Sequence, residues 1–111
     1  MKKDDTVYLH HMLEKTTRIQ ETVGQITIEE YLQNYLYQDT LLRSLEVLGE
    51  AANHLSEEFC SCHPELPVKE MIGLRNVLIH GYCTVDLRRV WMIARKNIPP
   101  LHQQLTMLLD A

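Results

Sequence analysis

Six apolar residues near the middle of the chain, Leu41, Leu45, Leu48, Ala52, Leu55 and Phe59, are separated by four, three, four, three and four positions. That rhythm lays them along one face of a helix, and it predicts a single helix from about Asp39 to Cys60. Nowhere does the chain alternate apolar and polar residues with period two, and no Asn-Gly pair offers a hairpin turn. The expectation is therefore an all-α fold. Within the central segment, Gly49, Ala51 and Ala52 leave room for another backbone to come close.

The other segments follow the same logic. Asp5 to Val23 reads as a first helix, with Val7, Leu9, Met12, Leu13, Thr16 and Ile19 near helical spacing and Gly24 ending it. Thr27-Ile28-Glu29-Glu30 has the form of a capping box and starts a short helix through Tyr31 and Leu32. Pro64 and Pro67 separate the central segment from a helix over about Pro67 to His80, with Pro67 in the first turn and Gly81 as the left-handed residue past its end. Thr84 or Asp86 caps the next helix, which runs to about Asn97 with Leu87, Val90, Trp91 and Ala94 inward. Pro99-Pro100 then separates it from a last helix, Leu101 to Leu109. Short connections of this kind predict one domain, residues 1–111, built as an up-and-down bundle of four to five helices with mostly antiparallel neighbours.

Composition narrows the function. A formal net charge of -4 argues against a general nucleic-acid coat protein, whose affinity would come from Lys and Arg. Three cysteines form no paired framework and fit a reducing compartment. The start, Met1-Lys2-Lys3-Asp4-Asp5, is followed by no apolar run of the signal-peptide kind. The most apolar stretch, Met71 to Tyr82, is short and broken by Arg75, Asn76 and His80, so no membrane span is expected. Cytoplasm is the expected location.

Those interrupting residues are the candidates for chemistry. Arg75 carries a planar fork of donors that matches phosphate oxygens, His80 can gain or lose a proton near neutral pH, and Tyr82 adds a hydroxyl. On an unbroken helix, His80 would point about 140° away from Arg75. A site using both needs a broken helix end or a second subunit. The plain alternative is an Arg bonded to a helix-end carbonyl and a His capping it. A polar stripe, Asp39, Arg43, Glu46, Glu50 and Asn53, is either a solvated face or the place where Glu46 or Glu50 meets Arg75 and fixes its guanidinium. Cys60, Cys62 and His63, with His54 before them and Cys83 far off, lack the two separated ligand pairs that zinc favours; the expectation is a helix end with incidental thiols and no metal, and the alternative is a metal-binding regulator using those three residues. His10, His11 and His102 are surface or interface residues. Arg88, Arg89, Arg95 and Lys96 make a basic stripe that is either a solvated face or a guide for an RNA backbone.

Arg75-Asn76-x3-His80-x-Tyr82 resembles the signature of HEPN-domain ribonucleases, and of the HepT-like toxins in particular. The resemblance extends through Arg43-Ser44-Leu45-Glu46-Val47-Leu48-Gly49-Glu50-Ala51-Ala52, through Ile72-Gly73-Leu74 before the motif, and through Val85-Asp86, Val90-Trp91 and Pro99-x-Leu101 after it. Val68 departs from it, standing where the family often has Trp. What the resemblance implies is a HEPN-type helical bundle acting as a homodimeric, metal-independent endoribonuclease toxin, with no cofactor. Arg75, His80 and Asn76 would be catalytic, Glu46 or Glu50 would support them, and RNA would be the substrate. It further implies an MntA-like minimal nucleotidyltransferase antitoxin that adds AMP to the motif tyrosine, here Tyr82. A non-catalytic HEPN module binding a nucleotidyltransferase or nucleotide is the alternative.

Overall fold

Helical periodicity is realised along almost the whole length. The computed structural model describes residues 2–110, and among them are seven α-helices, one short 3-10 turn and no strand. The helices are α1 (Lys3–Gln25), α2 (Ile28–Gln33), α3 (Tyr35–Asn53), α4 (Glu57–Cys62), α5 (Val68–His80), α6 (Leu87–Lys96) and α7 (Ile98–Asp110), with the 3-10 turn Tyr82–Thr84 joining α5 to α6. The five longer helices make the bundle. Helix α3 is central, packed against both α1 and α5, while α7 lies against α1 and α6. Leu41, Leu45 and Leu48 of α3 meet Leu9, Met12 and Ile19 of α1 and Leu101 and Leu105 of α7 in one continuous core. No described helix is long and apolar enough to cross a membrane.

Helix α2 shows how a six-residue element is made to matter. Its capping box is complete, with Thr27 Oγ1 accepting from the Glu30 N–H and Glu30 Oε1 accepting from the Thr27 N–H, each at 3.1 Å. The box holds Tyr31 inward, where its hydroxyl donates to the Leu87 carbonyl at 2.9 Å and its ring packs 5.1 Å from that of Trp91. The start of α6 is thereby pinned to the core. Burial, with a smaller push from Asp86, raises the Tyr31 hydroxyl to a pKa of about 12.

Four local expectations are corrected. Gly24 does not end the first helix, which continues to Gln25. The central helix is not continuous to Cys60: α3 stops at Asn53, and Ser56 caps a separate α4 by accepting from the Phe59 N–H at 3.1 Å. The reason lies far away in the chain. Asp5 of α1 is buried, and its two oxygens accept from the Ser56 N–H at 2.8 Å and the Ser56 hydroxyl at 2.7 Å, which fixes the break. Burial opposes the Asp5 charge, but these bonds and nearby Lys2 outweigh it and hold the carboxyl below its ordinary range. Gly81 is not left-handed; its φ is -118°, and its N–H closes the helix on the Val77 carbonyl at 2.8 Å. Pro99 and Pro100 do not separate helices but occupy the first turn of α7, where missing N–H groups cost nothing.

Candidate active site

The site grows out of a seam between α3 and α5. Gly49 is buried there, and a Cβ on it would run into the Arg75 side chain and come within 2.7 Å of the Met71 carbonyl oxygen. Only a residue without a side chain lets the two helices come this close. The stem of Arg75 therefore lies across Gly49, within reach of the residue that follows it. Glu50 Oε2 is 2.8 Å from Arg75 Nη2, and Arg75 Nη1 donates to Asn76 Oδ1 at 2.9 Å.

The second oxygen of Glu50 is also engaged. Oε1 lies 3.0 Å from His54 Nε2, one helical turn further along α3. An ionised carboxylate only accepts, so this nitrogen carries the proton and donates. Tyr8 of α1 stacks flat on the His54 ring, with centroids 4.9 Å apart and planes 12° from parallel. Tyr8, His54, Glu50, Arg75 and Asn76 thus form one polar chain across three helices. Its ion pair is partly open to solvent, the side chains of Arg75 and Glu50 being 26% and 45% exposed, so its contribution to stability is under about 1 kcal/mol. What it supplies is orientation. Glu50 Oε2 is buried and is met by Arg75 Nη2 as an ion pair, while the buried Arg75 Nε has no hydrogen-bond partner among the described residues. Buried polar groups are ordinarily satisfied, so the guanidinium keeps one unspent donor, its Nε–H.

Of the two acids considered for Arg75, Glu50 reaches it; Glu46 instead faces Arg43 at 3.4 Å. Among the described residues Arg75 bonds no helix-end carbonyl, and the Gly81 N–H closes the end of α5 on the Val77 carbonyl. His80 is the last residue of α5, exposed, with no hydrogen bond or ion pair among the described residues. Because α5 is unbroken from Arg75 to His80, the two point about 140° apart and are offset by roughly 7.5 Å along the axis. Tyr82 follows in the 3-10 turn, and its side chain lies outside the described residues. At the other end of the molecule, His63 packs on Phe59 with centroids 4.5 Å apart and sits 3.2 Å from Glu65, while burial, helped by Asp5 and Glu57, pushes the Cys60 thiol up. Among the described residues no three of His, Cys, Asp or Glu gather as a metal would require. In the basic stripe, Arg95 donates to the Val23 carbonyl at 3.2 Å and ties α6 to α1, while Arg88 and Arg89 stay exposed.

An apolar groove of about 800 Å³ runs between α3, α5, α6 and α7, past Leu48, Leu74, Val77 and Ile93; neither Arg75 nor His80 lines it. Sequence reading missed Tyr8 and His54 as members of the polar chain. The available signal was the four-residue spacing from Glu50 to His54, which puts them on one helix face.

An all-helical bundle with Arg-Asn-x3-His-x-Tyr closing α5 is of the HEPN ribonuclease type. Residues 12–108 match the family described as "Ribonuclease HepT-like", and the chain belongs to that family. It is 36% identical over 101 residues to a Thermococcus cleftensis protein named "Probable ribonuclease HepT", covering 91% of this chain and 92% of that one. It is 32% identical over 103 residues to a Methanocaldococcus jannaschii protein named "Putative RNase", covering 93% of this chain and 94% of the relative. A Caldanaerobacter subterraneus protein, also named "Putative RNase", is 36% identical over 103 residues, with 93% and 92% covered. No solved structure matches the chain.

Proposed function

We propose that the protein is a metal-independent endoribonuclease toxin that works as a homodimer, with Arg75 and Asn76 of one subunit and His80 of the other at a shared phosphate pocket. The observation that carries this reading is the geometry of α5. One uninterrupted helix aims Arg75 toward α3 while His80 faces away and is exposed, so one copy does not close a pocket around a phosphate with both. Val77 and Ile79, 58% and 38% exposed, put apolar surface beside His80 where a second copy would pack.

In this mechanism His80 removes the proton of a ribose 2′-hydroxyl. The oxygen attacks the adjacent phosphorus, the bond to the 5′-oxygen breaks, and that oxygen takes up a proton; a 2′,3′-cyclic phosphate and a 5′-hydroxyl result. Arg75, held by Glu50, stabilises the charge that builds on the phosphorane oxygens. The substrate supplies its own nucleophile, so no metal-bound water is required.

A minimal nucleotidyltransferase antitoxin would silence the site by transferring AMP from ATP to the Tyr82 oxygen, with loss of the phenolic proton and release of pyrophosphate. The added phosphate would compete for Arg75 and fill the pocket. The test is complementation in EDTA. Arg75→Ala and His80→Ala are each expected to lose RNA cleavage, and their mixture to regain it, because a mixed dimer holds one pocket with both groups. Wild type that leaves RNA intact would instead favour a non-catalytic helical module, and an inactive mixture would place both groups in one subunit's site.

A further inference from the structure

We propose that His54, held flat by Tyr8, is a positioning residue for Arg75, acting through Glu50. The inference rests on the ribonuclease reading and extends it to two side chains outside the motif. Glu50 has a carboxylate on a flexible stem and, at 45% exposure, little packing to choose its rotamer. The Nε2–H of His54 supplies what packing does not, taking Oε1 at 3.0 Å and leaving Oε2 turned to Arg75 at 2.8 Å. The His54 ring is itself fixed. Its face lies on Tyr8, and Tyr8 is met edge-on by His11 at 6.0 Å with planes 86° apart. Orientation therefore passes from α1 to α3 to α5, ending on the guanidinium.

The arrangement has little to offer stability. His54 and Glu50 are each close to half exposed, and a one-turn pair of that kind is weakly stabilising. For catalysis the case differs, because a small misplacement of a charge-stabilising group is costly in rate. Supporting side chains that lock a site's rotamers are what separate a working constellation from a loose one.

Two variants divide the ring from the bond. His54→Phe keeps a ring to stack on Tyr8 but has no donor for Glu50; His54→Gln keeps an amide donor without the ring. With full-length protein and an RNA substrate, His54→Phe is expected to lower kcat about tenfold with KM within about twofold, while His54→Gln keeps most of the rate. The melting temperature should hardly move in either. A second readout does not depend on cleavage. The Arg75 Nε–H resonance in nitrogen-15 NMR should report a restrained side chain in wild type and in His54→Gln, and a freed one in His54→Phe. Wild-type rates in His54→Phe, equal losses in both variants that track the melting temperature, or an unchanged Arg75 resonance would each overturn the proposal. Were wild type to leave RNA intact, the ribonuclease reading would fail and the resonance alone would decide whether His54 positions Arg75.

Discussion

Two carboxylates anchor two helix junctions, and they are treated in opposite ways. Asp5 is 2% exposed, and each of its oxygens accepts a short bond from Ser56. Glu50 is about half exposed and shared between His54 and Arg75, and the Arg75 it holds keeps a buried Nε with no hydrogen bond among the described residues. The first arrangement closes a structural joint: α1 is fastened to the start of α4. The second holds a cation in place without using it up.

The widest separation between the regions should come from the motif itself. His80→Ala is expected to reduce RNA cleavage by about 10²–10⁴-fold, the usual worth of a general acid or base, and urea denaturation should find its stability unchanged because the side chain is exposed. A large stability loss would mean that His80 belongs with Asp5 as a structural group. Next in size, Asp5→Ala should cost roughly 2–4 kcal/mol, since it strands a part-buried N–H and removes bonds to a charged acceptor. Equilibrium unfolding measures it, and a cost near zero would remove the contrast on which the comparison stands. Glu50→Gln should cost under about 1 kcal/mol of stability while lowering kcat, because Arg75 loses its counter-charge. A variant that unfolds readily but cleaves normally would reverse the two roles.

The smallest effects are in pH dependence, and they have opposite signs at the two ends of the scale. The Asp5 carboxyl titrates below its ordinary value near 3.8, so its contribution is complete above that value and is lost as pH falls through the folded one. Asp5→Asn should flatten the acid limb of the stability curve. Tyr31, raised to about 12, favours the fold fully below the ordinary value of 10.0 and loses that contribution as pH rises toward about 12. Tyr31→Phe should flatten the alkaline limb and also lose the bond to Leu87.

How much of this was legible depended on how local the cause was. The all-helical class followed from spacing, and the Thr27–Glu30 box was readable because its partners are three residues apart. The break at 54–56 was not, because the acid that fixes it is 51 positions away. Pro99-Pro100 is a different case: two local rules compete there, and the one that admits prolines to a first turn prevails over the one that makes them dividers. In the site, the spacing of the polar stripe left Glu46 and Glu50 equal. What separates them is the contact at Gly49, which brings α5 against the very turn that carries Glu50 and leaves Glu46 to Arg43.

Gly49 and Gly73 look alike in the chain, one on each partner of the seam. A Cβ on Gly73 would meet nothing within 4 Å. Position 73 therefore has room for a side chain and position 49 has none, so the spacing between the two helices rests on a single missing methyl group.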